Sequence, residues 1–211
     1  MTEGRKTDNH VMFVWLETVQ NIIGPAGVKS ILNYAHLQKY IDNFPPNNDD
    51  LEIPLEDLQT LYSSLLELFG KKGARGLQIR VGREAARLAV EARPQISKPI
   101  KLAARLLSEP KKMRLTLEKH IEQIEKRFDY IPNFPPIQLQ ENEDCFLYKD
   151  EAWFESEGRT SQTPVCGLMG GMLMYLMEWI TGHEHKVEEI ECRAMGHSAD
   201  VFRIEKRVNK S

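Results

Sequence analysis

The side chains with most chemistry to offer are three cysteines, Cys145, Cys166 and Cys192, and a His183-x-His185 pair, all in the last third of the chain. Three is an odd number, and the opening residues Met-Thr-Glu-Gly-Arg-Lys lack the apolar stretch of a secretory signal. Free thiols or metal ligands are therefore expected rather than a disulfide framework. Whether the cysteines ligate or fill a core as small side chains stays open at this level. His183 and His185 could coordinate a metal or haem iron. Alternate residues of an extended segment point apart, however, which makes joint ligation awkward, and a solvated loop is the plainer reading.

A second chemistry is the binding of something apolar. From Val165 to Ile180, Leu168, Met169, Met172, Leu173, Leu176 and Ile180 fall on one helix face, which Tyr175, Met177 and Trp179 widen. Four methionines lie within nine residues of that segment. Thioethers suit a flat, greasy ligand and equally fill irregular cores. Gly167, Gly170 and Gly171 sit in the same helix, each at a cost of about 1 kcal/mol against alanine. Either close helix packing, within the chain or across a dimer, or room for a ligand ring against bare backbone must offset that cost.

These residues need a scaffold, and the pattern of the chain supplies one. Val11 to Ile23 reads as a short apolar helix closed by Gly24-Pro25 and packed inside or against a second subunit. Leu55, Leu58, Leu61, Leu65 and Leu68 recur at helical steps until Gly70. Gly73, Gly76 and Gly82 then precede a helical run from Glu84 to Ala92 that Pro94 stops, and their spacing matches neither a P-loop nor a dinucleotide fingerprint. Basic helices follow around Ile100–Leu107 and Met113–Phe128, parted by Pro110. After Pro132, Pro135 and Pro136 the period changes: Ile137–Gln140 and Cys145–Tyr148 read as strands across a turn at Glu141–Asp144. A polar loop over Glu155–Pro164 leads to the Met-rich helix, which Gly182 terminates. Strands at about Lys186–Met195 and Asp200–Arg207 close the chain around Gly196-His197-Ser198. The expectation is one α+β domain, with a helical part over 1–130 and a smaller α/β part over 131–211.

The stretch Glu188-Glu189-Ile190-Glu191-Cys192-Arg193-Ala194-Met195-Gly196-His197-Ser198-Ala199-Asp200-Val201-Phe202-Arg203-Ile204, preceded by Pro164-Val165-Cys166-Gly167-Leu168, carries a resemblance. Its Glu-x-x-Cys-x-x-x-Gly-x-x-x-Asp pattern resembles the C-terminal signature of the 4-vinyl reductase domain. That domain also serves as the sensory part of aromatic-responsive regulators and shares its fold with transport-particle subunits. The likeness is strongest over Cys145–Arg207. It implies a ligand-binding fold like those of nitric-oxide-signalling and Golgi-transport proteins. It also implies a structural zinc site, carried onto Cys166, Glu189, Cys192 and Asp200. Aspartate stands where the zinc-binding members have cysteine, which makes the set poorer in thiolate, and His197 is nearby as a substitute ligand.

The same resemblance implies a non-catalytic or accessory binding protein for a hydrophobic small molecule. A tetrapyrrole or chlorophyll precursor is favoured, with a role in chlorophyll synthesis or photosystem assembly. Met169, Met172, Tyr175 and Trp179 would line its site, with Arg80 and Arg83 meeting ligand carboxylates. The alternative is a dimeric scaffold that binds protein partners without a small ligand, and a homodimer is expected either way. A reductase is disfavoured, because no nicotinamide or flavin motif is present and three scattered cysteines cannot hold a four-cysteine cluster.

Composition sets the frame. With 41% hydrophobic and 28% charged residues the chain should fold. No apolar run reaches the ~18 to 20 residues of a membrane span, so a cytoplasmic protein is expected, at most peripheral to a photosynthetic membrane. The net charge of −3 conceals a basic middle: residues 71–127 hold 16 Lys or Arg against 6 Asp or Glu, leaving 12 against 25 elsewhere. Pairing with acidic flanks explains such a block without a nucleic-acid partner.

Overall fold

A computed structural model describes residues 4–206. In chain order the elements are β1 (Lys6–Thr7), α1 (Asn9–Tyr34), β2 (Ile53–Pro54), α2 (Leu55–Ala92), α3 (Pro94–Ala104), α4 (Glu109–Arg127), β3 (Gln138–Glu141), β4 (Cys145–Asp150), α5 (Gly167–Thr181), β5 (Val187–Glu191) and β6 (Asp200–Glu205). The helical first part and the antiparallel sheet that follows match the expected class. The four-stranded sheet runs β3-β4-β6-β5 with every neighbouring pair antiparallel, and β1 and β2 form a separate two-stranded pair.

The two long helices are each a pair joined at a glycine. Gly24 (φ 77°) and Gly70 (φ 68°) adopt a backbone open to residues without a side chain, so the chain bends there and resumes its helix. Gly24-Pro25 is thus a kink rather than an end. The resulting α1 is long and apolar enough to cross a membrane by length and composition, which the sequence reading did not anticipate. Its Met12, Val14, Trp15, Leu16 and Val19 are nonetheless buried in the core of this chain. Asp8 caps it, accepting from the Val11 N–H at 3.0 Å and pairing with Arg127 at 2.7 Å.

In α2 the leucine stripe holds for Leu55, Leu58, Leu61 and Leu65, whereas Leu68, just before the kink, is exposed. The glycine-rich stretch over 71–83 is helix throughout, against the expectation that helix begins only at Glu84. The reason lies in α5. A side chain on Gly82 would strike the Leu168 carbonyl oxygen at 2.0 Å, and one on Gly171 would strike that of Ile79 at 2.1 Å. Gly167 sits likewise against Gln78. The glycines let α2 and α5 touch backbone to backbone, so close packing within the chain offsets their helix cost.

The other boundaries follow local chemistry. Gly182 (φ 93°) ends α5, its N–H bonding the Glu178 carbonyl at 2.8 Å. β5 stops at Glu191 with a register shift, and a short 3₁₀ turn over Arg193–Met195 takes the place of the longer strand expected. The expected end of the last strand, Arg207, lies outside the described residues. The segment read as a polar loop is not solvated at its start: Glu155, Ser156 and Glu157 are buried. The basic block is largely paired within the chain: Arg75 with Glu189, Arg83 with Glu178, Arg87 with Glu84 and Glu91, Arg93 with Asp49, and Arg114 with Glu118 and Glu141.

Candidate functional site

Two sites lie at opposite ends of α5. The first gathers Cys166, Glu189, Cys192 and Asp200, all buried, with one ligand atom from each within 4.8 Å of the others. Cys166 is the N-cap of α5. Glu189 is held inward by the alternation of β5, on which Glu188 and Ile190 face out. Cys192 follows the bulge that ends β5, and Asp200 opens β6. An isoleucine facing solvent beside a glutamate facing the core inverts the usual pattern, which marks Glu189 as more than a surface charge.

The cluster is knitted into its surroundings. The Glu189 carboxylate accepts the Cys166 N–H at 3.0 Å and meets Arg75 at 3.4 Å. Asp200 accepts the Ser156 hydroxyl at 2.5 Å and the Arg193 N–H at 2.8 Å. Burial pushes the Cys166 thiol well up, helped by a hydrogen bond with Cys192 and by the carboxylates around it. A metal cation is the charge that would reverse this, since thiolates are the ligand form. A tetrahedral ion with bonds of about 2.0 to 2.3 Å sets its ligands roughly 3.3 to 3.8 Å apart. The donor set therefore fits zinc after the widest pair closes by about 1 Å. His197 is exposed on the β5–β6 connection and is not among the gathered ligands.

Sequence reasoning missed the acids behind this cluster. Glu155 accepts four donors: the Gln78 amide at 2.5 Å, the Trp153 indole at 2.8 Å, and the Leu168 and Met169 N–H groups at 3.0 and 3.1 Å. It thereby satisfies the first turn of α5. Burial pushes its carboxyl up to about 8 against the pull of those donors. Asp150, paired across the strands with Asp200, is raised to about 6, again by burial. The apolar residues after Glu155 on α5 were the available signal, because a helix entry without a local cap needs an acceptor from elsewhere.

The second site is a cavity of about 120 Å³ among α2, α3, α4 and α5. Ala86, Ala89 and Val90 of α2 form one wall, Ile96 and Ile100 of α3 another, and Ile124 of α4 with Met172, Leu176 and Trp179 of α5 the rest. Into this wall α4 sets His120, whose Nε2 is buried with no hydrogen-bond partner. Burial, with Arg127 adding to it, lowers the His120 pKa to about 4, so the imidazole is neutral and offers a donor or acceptor to a guest. Arg93, Lys119 and Arg127 also line the cavity, and each already has a carboxylate partner: Asp49, Glu122 and Asp8.

Of the residues expected to meet a ligand, Met172 and Trp179 line this cavity. Met169 is instead wholly buried in the core. Tyr175 packs partly buried against the core and is not among the lining residues. Arg83 is bound to Glu178 and Arg80 is exposed, neither of them at the cavity. His120 was not singled out, since a histidine on a basic helix reveals nothing of the apolar space it will face. His183 and His185 are not splayed along a strand; their rings lie side by side, centroids 4.8 Å apart.

Comparison with known proteins agrees with these observations. Residues 150–206 match the family model of the 4-vinyl reductase domain, whose tail signature the sequence resembles. No curated protein sequence matches the chain. Among solved structures, the Fe(II) unliganded H-NOX protein from K. algicida superposes with a TM-score of 0.65 at 12% identity, covering 97% of this chain and 98% of that one. An oxygen-binding H-NOX domain related to soluble guanylate cyclases, solved as its oxygen complex, gives 0.54 at 16% identity over 91% and 90%. The phenol-responsive sensory domain of the transcription activator PoxR, solved with phenol, gives 0.51 at 16% identity over 76% and 78%. The segment holding Glu155, Cys166, Glu189, Cys192 and Asp200 is thus a 4-vinyl reductase domain segment, on a fold that this chain shares with H-NOX proteins and a phenol sensor.

Proposed function

We propose that this chain is a small-molecule-binding module that takes a single-ring aromatic, or an apolar molecule of similar size, into the cavity among α2, α3, α4 and α5. The observation that carries the reading is the cavity itself. Its volume of about 120 Å³ is close to the ~150 Å³ apolar cavity that accepts benzene. Its walls are aliphatic and aromatic, and His120 supplies one unpaired polar atom for a ring hydroxyl. The solved PoxR domain of the same fold contains phenol, in keeping with a ligand of that size.

A tetrapyrrole does not fit this cavity as it stands. Pockets for larger ligands run to roughly 300–1,000 Å³, and the cations at this wall already hold carboxylates. The place in chlorophyll synthesis or photosystem assembly depends on that larger ligand and would require α3 to swing outward. Zinc at Cys166, Glu189, Cys192 and Asp200 would act structurally, tying the start of α5 to β5 and β6. A homodimer is part of the proposal; Leu102 and Leu106 on and just after α3, 64% and 92% exposed, are apolar surface that a second copy or a protein partner could cover.

The test is a titration of the full chain with phenol and, separately, with haemin, followed by Trp fluorescence and calorimetry. Saturable phenol binding that Ala89→Phe abolishes supports the single-ring reading. Tight haemin binding with no response to phenol supports the tetrapyrrole instead.

A further inference from the structure

Glu109, His183 and His185 offer three ligand atoms within 4.8 Å of one another. Glu109 begins α4, and the histidines lie just past Gly182, whose left-handed turn (φ 93°) breaks the extended geometry that would separate them. The His185 side chain is fully buried. Its Nδ1 lies 2.8 Å from the Glu205 carbonyl, which can only accept, so in the neutral ring the proton sits on Nδ1 and Nε2 presents a lone pair. That lone pair faces Thr181 Oγ1 at 3.1 Å and Glu109 Oε1 at 3.9 Å. The single Thr181 hydroxyl proton already has two carbonyl acceptors, Met177 at 2.8 Å and His183 at 3.1 Å. A buried nitrogen lone pair ringed by oxygen lone pairs calls for a cation.

His183 completes the arrangement. Its Nε2 stands 3.0 Å from Glu109 Oε2, and its Nδ1 is buried without a partner, so the ring can keep its proton there and turn Nε2 to a metal. The Glu205 carbonyl does for His185 what outer-shell acceptors do for ligating imidazoles: it sets the tautomer and fixes the ring.

We propose that Glu109, His183 and His185 form a second metal site, for a divalent transition ion such as zinc. Two imidazoles and one carboxylate suit that class of ion. The side chains of His183 and Glu109 are 35% and 38% exposed, so the ion has a path in and a fourth position for water. Bound there, it ties the first turn of α4 to the end of α5, the two helices whose facing sides bear His120 and Trp179. Metal occupancy therefore stiffens one side of the cavity.

The experiment is a Zn²⁺ titration of the metal-stripped full chain, wild type against His183→Ala and Glu109→Gln, with bound ion counted after dialysis. Both substitutions change partly exposed side chains, and thermal unfolding of the metal-free proteins verifies that they fold. Each variant is expected to bind one ion fewer than wild type and to lose part of the zinc-induced rise in melting temperature. Unchanged stoichiometry in either variant overturns the proposal, as does a wild type that binds no ion the variants lose. Co²⁺ spectra keep this site apart from the cysteine cluster: thiolate charge-transfer absorption belongs to Cys166 and Cys192 and should be the same in all three proteins.

Discussion

The two ends of α5 solve opposite problems. At its start, buried acids and thiols are packed so that nearly every polar atom has a partner: Glu155 takes four donors, Glu189 takes Cys166 and Arg75, and Asp200 takes Ser156 and Arg193. Toward its other end the neighbours are Ala86, Ala89 and Ile100, space is left over, and one imidazole nitrogen has no partner. A satisfied polar network holds one geometry, while an apolar hollow with a single unpaired group holds a guest. One helix therefore serves as anchor at one end and as binding wall at the other.

That contrast can be broken first at the anchor. Glu155→Ala strips the acceptor from four buried donors and should cost about 3 to 5 kcal/mol in chemical denaturation, enough to unfold a protein of ordinary stability. Gly171→Val presses a side chain into the Ile79 carbonyl and should cost about 3 kcal/mol, since neither backbone can give way cheaply.

The two ends should also answer pH with opposite signs. The native His120 pKa of about 4 lies below its usual 6.5, so the unfolded chain binds the extra proton. Stability is then lost as pH falls from about 6.5 to 4, by about 3 kcal/mol in all. The native Glu155 carboxyl keeps its proton up to about 8, whereas the unfolded one releases it near 4.5, so its contribution is lost as pH rises through that window. Denaturation from pH 4 to 9 should show His120→Phe flattening the acid limb and Glu155→Gln the alkaline limb. The smallest effect is expected from filling the hollow: Ala89→Phe should move stability by no more than about 1 kcal/mol while lowering phenol affinity at least tenfold.

The anchor was legible in the sequence and the hollow was not. Cys166, Glu189, Cys192 and Asp200 sit at fixed offsets along a helix, a bulged strand and a turn, so local spacing brings them together. The cavity depends on four helices meeting across the chain, and its shape is set by the small size of Ala86 and Ala89 as much as by Met172 or Trp179. Helical periodicity marked α5 as apolar and could not separate Met169, which enters the core, from Met172, which faces the hollow. The kinks at Gly24 and Gly70 were misread as ends for a related reason: a glycine that bends a helix and one that stops it look alike until the next turn has packed.

The most direct test of the central claim is where phenol touches the protein. Backbone and imidazole ¹⁵N spectra of the full chain, recorded through a phenol titration, should show saturable shifts at His120, Ala89, Met172 and Trp179 and none at Cys166, Glu189 or Cys192. Shifts centred on the cysteine cluster, or no saturable shift at all, would contradict the account.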